Sequence, residues 1–211
     1  MIIETKDLSY EVYKRLKAMI LADEFKQGEK LKQEKIAQMF GVSRMPLHKA
    51  FQMLENEMLV ESLPRRGFYV TTIDKAKLID AFECREALEG VAVRRATDNV
   101  TKADLNYLRS LFEPFVGQNN VDEMKYVESD HEFHRFILKA SENQILGRME
   151  IINNIIAQTL RSGLIRGPKE TLDEHLGIIK AMEKRDGIEA ERLMREHSRK
   201  SCEKVKQWLK K

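Results

Sequence analysis

Leu8, Val12, Leu16, Met19 and Ile20 recur at three- and four-residue intervals between Asp7 and Leu21, the spacing that lines one face of an α-helix. The segment Asp23 to Gly28 breaks that period. A second, shorter period runs from Lys32 through Ile36, Ala37 and Phe40, and Gly41 stops it as a left-handed C-terminal cap would. Ser43 can then cap a third helix with Pro46 in its first turn and Leu47, Ala50, Phe51 and Leu54 on one face. Very little chain separates the second and third helices. After Asn56 the pattern changes: Met58 to Leu63 and Gly67 to Thr72 are short apolar or β-branched runs around Pro64-Arg65-Arg66-Gly67, the outline of a β-hairpin.

From Asp74 onward the chain shows helical periods only. Capping signals divide them at Thr101, at Asn119 to Asn120, at Ser141 with Gln144, at Gly167-Pro168 and at Asp186 with Glu189. The pattern predicts a mainly α protein in two domains. Residues 1–72 would form a winged helix-turn-helix of three helices and a β-hairpin, and residues 73–211 an antiparallel bundle of about six helices.

Composition agrees with a folded helical chain: 211 residues, 42% hydrophobic and 34% charged, with ten glycines and four prolines. The longest apolar stretches, Ile151-Ile152 and Ile155-Ile156-Ala157, are short and interrupted by Asn, which excludes a membrane span or secretory segment and predicts a cytoplasmic protein. Cys84 and Cys202 match neither a disulfide framework nor a Cys-rich zinc pattern, so free thiols are expected. A net charge of +3 is too small to imply nucleic-acid binding by itself, and the placement of the charges must decide.

That placement is informative in the N-terminal part. Arg44 and Lys49 fall on or at the start of the third helix, Lys30, Lys32 and Lys35 around the second, and Arg65 and Arg66 at the hairpin tip. A hairpin turn needs Gly67 for backbone freedom but has no need of two adjacent arginines. The third helix can lie in a DNA major groove while the hairpin reaches an adjacent groove or phosphate. Lysines and arginines on this face would supply the salt-dependent phosphate contacts, leaving base edges to Arg44, Met45, His48 and Lys49.

In the C-terminal part, polar residues interrupt apolar stripes. Along 120–140, Met124, Val127 and Leu138 share a stripe with Asp130 and His134, which at a four-residue separation lie on one face. His175 aligns with Leu172, Leu176 and Ile179, and His197 with Ala190, Leu193, Met194, Ser201 and Val205. An unpaired carboxylate or imidazole is costly inside a core, so Asp130, His134, His175 and His197 point to one shared cation. One carboxylate and three imidazoles suit a divalent transition metal, zinc or nickel first and manganese, cobalt or iron also, with open positions for water or an anion. His131 borders the stripe as an outer contact or a surface residue.

Gly28-Glu29-Lys30-Leu31, Gly41-Val42-Ser43-Arg44-Met45-Pro46-Leu47 and Arg65-Arg66-Gly67-Phe68-Tyr69-Val70 together resemble the DNA-binding domain of the GntR superfamily of bacterial transcription regulators. Where that family usually has Arg-Glu-Ala, this chain has His48-Lys49-Ala50, and Lys32 to Lys35 is more basic than the family pattern. Arg85 with Glu89, Asp130-x3-His134, Asn143-Gln144-Ile145-Leu146 and His175-x21-His197 resemble the FCD ligand-binding domain of the FadR-type branch. The resemblance implies contacts to double-stranded operator DNA from Lys32, Lys35, Ser43, Arg44, Met45, His48, Lys49, Arg65, Arg66 and Gly67. It also implies a metal held by Asp130, His134, His175 and His197, a small carboxylate or sugar acid beside that metal, and Arg85 as the carboxylate's partner. A two-fold homodimer on a near-palindromic operator is the matching assembly, acting as repressor or activator. A metal-responsive regulator is the neighbouring alternative. A metal-dependent hydrolase competes less well, because only His131 and Glu132 are at hand as a general base and the Glu-x-x-His pairs of di-iron proteins are missing before His175 and His197.

Overall fold

The computed structural model describes residues 8–146, 155 and 165–208. Up to Asp74 the chain forms one compact unit, and from Lys75 on its helices form a second.

The first unit contains α1 (Leu8–Leu21), α2 (Gln33–Phe40), α3 (Arg44–Asn56), β1 (Val60–Leu63) and β2 (Gly67–Val70). The expected apolar faces are the ones buried. Leu16 and Ile20 of α1, Ile36 of α2, and Leu47, Ala50, Phe51 and Leu54 of α3 meet Leu59, Val60, Phe68 and Val70 in one core. Phe51 stacks on Phe68 with ring centroids 4.7 Å apart, fastening α3 to the hairpin. The strands pair antiparallel, Val60 opposite Val70 and Leu63 opposite Gly67. The Gly28 and Leu31 amides donate to the carbonyls of Val70 and Phe68, so that this segment lines the other edge of β2.

The turn between α2 and α3 shows why Gly41 is there. Gly41 has φ +64°, and its N–H and that of Val42 donate to Gln38 and Ala37, the paired bonds of a Schellman cap. Val42 packs against the core, and Ser43 in extended conformation starts α3 without a side-chain capping bond. Helix α3 is thus aimed by a backbone conformation that a Cβ makes costly.

The second unit contains α4 (Lys75–Asn99), α5 (Lys102–Phe112), a 3-10 turn (Glu113–Phe115), α6 (Glu123–Ala140), α7 (Pro168–Glu183) and α8 (Gly187–Trp208). The helix expected between Ser141 and Gly167 lies outside the described residues, apart from Ile155. Helices α4 and α8 run antiparallel: Cys202 lies against Ile79, Lys206 pairs with Glu83, and Arg94 with Glu191. Close approach is possible because Gly90 has no side chain; a Cβ there would come within 2.8 Å of Arg195.

Capping agrees with the sequence at three of its five points. Thr101 and Asp104 form a reciprocal capping box, Gly167 with Pro168 opens α7, and Asp186 accepts from the Glu189 amide. Before α6 the cap is Asp122 rather than Asn119 or Asn120, since its carboxylate receives the amides of Met124 and Lys125. The helix expected to be capped by Ser141 and Gln144 lies outside the described residues; within them the Ser141 hydroxyl donates to the Leu138 carbonyl and accepts the Asn143 amide, and Asn143 Oδ1 receives the amides of Ile145 and Leu146.

Replacing Gly41 by Ala tests the turn. No atom lies within 4 Å of the added methyl, so its cost is conformational alone. The variant should lose about 1 kcal/mol in urea unfolding of the full chain; an unchanged midpoint would show that α2 can end without the left-handed residue.

Candidate functional site

In the first unit, the exposed face of α3 carries Arg44, Met45, His48 and Lys49, which with Gln33 and Gln52 line a shallow depression. Beside it, Lys30, Lys32, Lys35, Arg44, Arg66 and Gly67 line an adjoining groove. Met45 is 72% exposed, which is unusual for a large apolar side chain and fits contact with a thymine methyl. His48 meets the edge of Phe68, and Arg44 pairs with Glu34 at 2.8 Å. At the hairpin tip Arg65 has φ +62° and the Arg66 amide donates to the Leu63 carbonyl. Pro64 and Arg65 are therefore the corners of a type II turn, whose second corner normally favours glycine. Ser43 is exposed at the N-terminus of α3. The structure thus gathers the predicted residues around the start of α3, the start of α2 and the wing.

In the second unit, Asp130, His134, His175 and His197 are all buried, and one ligand atom from each lies within 4.8 Å of the others. The stripe of α6 that carries the first two is not the one expected: Met124 is 78% exposed, and the inward residues are Tyr126, Asp130, Phe133, His134 and Ile137. The actual stripe begins two residues later because α6 starts at Glu123, with Met124 in its first turn facing solvent.

Contacts on the outer side of each ring orient the histidines. His134 Nδ1 lies 2.8 Å from Glu89 Oε2, His175 Nδ1 lies 3.1 Å from the Tyr126 hydroxyl, and His197 Nδ1 donates to Glu174 Oε2 at 2.8 Å. Phe112 stacks on His175 at 4.4 Å. Toward the cluster's centre, His175 Nε2 approaches Asp130 Oδ1 at 3.2 Å and His134 Nε2 approaches it at 3.9 Å. Neither Nε2 has a hydrogen-bond partner among the described residues, although both are buried. Orphaned inward nitrogens with outward anchors are what a shared metal ion requires. With bonds of about 2.1 Å, one ion holds donors about 3.4 Å apart at tetrahedral angles and about 4.2 Å apart when opposite, so a pair at the 4.8 Å limit would close by about 0.6–1.4 Å. The four residues fit a divalent metal.

Protonation states suit that ion. Burial lowers the pKa of His175, and it pushes His197 down to about 3, outweighing the neighbouring carboxylates, so both rings are neutral. Burial acts to raise the Asp130 carboxyl, but contact with His175, the nearby His134 ring and the Arg85 charge hold it well below the usual range. Burial likewise acts to raise Glu89, and the Arg85 charge with the contact to His134 prevails, bringing it to about 2.

Arg85, 6% exposed, donates through Nε to Glu89 at 2.9 Å. It lines a small cavity of about 30 Å³ with Asp130, Arg166, Thr171, His197 and Ser201. The expected anion partner therefore stands beside the ligand cluster. His131 is half-buried and outside the ligand set; its Nε2 is buried without a partner among the described residues, and burial lowers its pKa. Sequence reasoning missed Tyr126, Glu174 and Arg166. Tyr126 sits four residues before Asp130 and was findable as a polar-tipped aromatic at the same helical phase. Glu174 adjoins His175 in sequence but serves His197, and that pairing depends on the register between α7 and α8.

A three-helix reader with a wing, followed by a helical bundle with a buried Asp/His cluster, defines a two-part transcriptional regulator. Residues 8–70 match the family of bacterial regulatory proteins called gntR, and residues 80–200 match the FCD domain. The chain belongs to the gntR family, in the branch that carries an FCD domain. It is 27% identical over 209 residues to the HTH-type transcriptional repressor RspR of Escherichia coli (strain K12), covering 96% of this chain and 91% of that one. It is 26% identical over 204 residues to the uncharacterized HTH-type transcriptional regulator YdhC of Bacillus subtilis (strain 168), covering 94% and 91%. In fold it is similar to E. coli McbR/YncC, with a TM-score of 0.74, 22% identity and coverage of 96% of this chain and 98% of that one. A GntR regulator from Rhodococcus sp. RHA1 gives a TM-score of 0.75 at 18% identity, covering 94% and 97%. These relatives are regulators, and the chain is a transcriptional regulator rather than an enzyme. Among the described residues no helix is long and apolar enough to cross a membrane.

A pH prediction follows from the neutral imidazoles and the ionised Glu89. A group with a depressed folded pKa contributes stability above its unfolded pKa and loses it as pH falls toward the folded value. For His197 the window runs from 6.5 down to about 3, and for Glu89 from 4.5 down to about 2. Chelator-treated protein should therefore show a urea midpoint that falls steadily from pH 6.5 downward, with a shallower fall above pH 4.5 in His197→Gln. A midpoint constant from pH 7.5 to 5 would contradict the neutral buried rings.

Proposed function

We propose that the chain is a cytoplasmic, homodimeric repressor that binds a near-palindromic operator and is controlled by a small organic acid beside a divalent metal at Asp130, His134, His175 and His197. The observation that carries the sensing half is the pair of buried inward Nε2 atoms, on His134 and His175, without hydrogen-bond partners among the described residues, backed by Glu89 and Tyr126. The ion, when bound, offers a Lewis-acidic position to a carboxylate. Arg85 presents its guanidinium to the same cavity and supplies a fork for the anion, with Asp130 and the three imidazoles oriented by Glu89, Tyr126 and Glu174. On the DNA side, Arg44, Met45, His48 and Lys49 read bases; Lys32, Lys35, Arg65 and Arg66 hold phosphates, and Ser43 and Gly67 bring backbone close to the duplex. Repression is the output supported by the likeness to RspR.

A second reading, in which the metal alone is the signal, is favoured by the size of the cavity. About 30 Å³ has room for about two waters. The two readings separate in one experiment. Native mass spectrometry of the untagged protein should show a dimer with one zinc per chain after titration, and operator DNA selected from random sequence should then be bound with and without two- to six-carbon carboxylates. An effector that weakens operator binding must itself bind the operator complex more weakly by the same factor. Equal effector affinity with and without operator overturns the acid-sensing reading, and a response to zinc that no acid alters supports the second.

Two substitutions sharpen the assignment. His134→Ala should lose most of its zinc while its first unit still binds DNA; full zinc content in that variant would sink the ligand set. Arg44→Ala should reduce discrimination between operator and random DNA by about 1–3 kcal/mol, measured by fluorescence anisotropy. Unaltered discrimination would remove Arg44 from base reading.

A further inference from the structure

Glu174, on α7, reaches across to α8 and sits at the meeting point of four donors. His197 Nδ1 is 2.8 Å from Oε2, Arg166 forms a two-pronged contact at 2.8 Å to Oε2 and 2.7 Å to Oε1, and Lys200 Nζ donates to Oε1 at 3.0 Å. Arg166 is only 7% exposed and also donates to the main-chain oxygens of Glu170 at 3.2 Å and His197 at 3.4 Å. The same guanidinium and the His197 ring line the cavity beside Asp130.

The contact has a chemical consequence that the other two histidines lack. A carboxylate can only accept, so Nδ1 of His197 must carry the proton, and in the neutral ring the lone pair is then left on Nε2. His175 faces the Tyr126 hydroxyl, which can donate or accept, so either tautomer satisfies it. His134 lies close to Glu89, yet its Nδ1 has no contact with hydrogen-bond geometry among the described residues.

We propose that Glu174 is a positioning residue of the ligand cluster, fixing His197 as the Nδ1–H tautomer and, through Arg166, fastening this α8 ligand to the start of α7. The inference deepens the metal reading and rests on it. Its test uses full-length protein, with histidine tautomers read by long-range proton–nitrogen correlation on metal-free, 15N-histidine-labelled samples at pH 7.5. Zinc affinity is measured separately by chelator competition. In the wild type His197 should be the Nδ1–H form. In Glu174→Ala that preference should be lost and zinc affinity should fall about 10- to 100-fold. Glu174→Gln, which matches the shape and keeps an accepting oxygen, should hold the tautomer and recover most of the affinity; it also serves if the Ala variant folds poorly. Asp173→Ala, at an exposed neighbour, is the control.

A merely structural Glu174 would lower the unfolding midpoint and leave both the tautomer and the zinc affinity unchanged, and that result overturns the proposal. A shifted tautomer at unchanged zinc affinity overturns it as well. A wild-type protein that takes up no zinc defeats the metal reading itself, and the tautomer comparison still decides whether Glu174 governs the His197 ring.

Discussion

An imidazole taken out of water into an apolar core needs partners for both ring nitrogens, and the bundle buries three such rings around one carboxylate. That requirement organises the second unit more than any apolar contact does. Each ring recruits a partner from behind: His134 approaches Glu89 of α4, His175 the Tyr126 hydroxyl of α6, and His197 Glu174 of α7. The carboxylates so recruited must in turn be compensated, and buried arginines do it, Arg85 for Glu89 and Arg166 for Glu174. Without Arg85 the buried Glu89 would be left an uncompensated charge, a defect costing several kcal/mol, whereas half-buried Glu174 is also held by Lys200. The polar cluster therefore extends outward through charged pairs while its inner faces remain free to ligate.

The DNA-reading unit is governed by a different constraint, the left-handed backbone at a few turn positions. Gly41 takes one such conformation at little cost and sets the angle between α2 and α3. Arg65 takes another at a cost of about 1–2 kcal/mol, because its Cβ crowds the following carbonyl. Glycine at Arg65 would relieve that strain but remove a charge from the tip of the wing. The retention of arginine where the backbone favours glycine is a local conflict between folding and surface charge, and such conflicts gather at functional sites.

The sequence made the helices, the hairpin and the inward histidines legible because each is a local repeat: apolar spacing, a turn dipeptide, a polar residue at the phase of its apolar neighbours. It failed where the outcome depends on which of several nearby residues wins. Asp122 displaces Asn119 and Asn120 as a cap because it stands at the point where α6 begins. On α6 the apolar stripe begins at Tyr126, two residues after Met124, and Asp130 and His134 lie on the expected face. Glu174 and Arg166 could not be read at all. Their function depends on the register between α7 and α8, and no spacing along the chain encodes that.

The same distinction explains why a net charge of +3 says so little. In the bundle several cations are consumed by structure: Arg85 holds the buried Glu89, Arg166 the half-buried Glu174, Arg94 and Arg195 share Glu191, and Lys206 pairs with Glu83. In the first unit, Lys32, Lys35, Lys49, Arg65 and Arg66 have no carboxylate partner among the described residues and are exposed. Arg44 is the exception, yet its pair with Glu34 has both side chains more than three-quarters exposed. An ion pair so hydrated contributes at most about 1 kcal/mol. A guanine edge or a phosphate can displace it. The positive charge available to DNA is the part the fold leaves unpaired on α2, α3 and the wing.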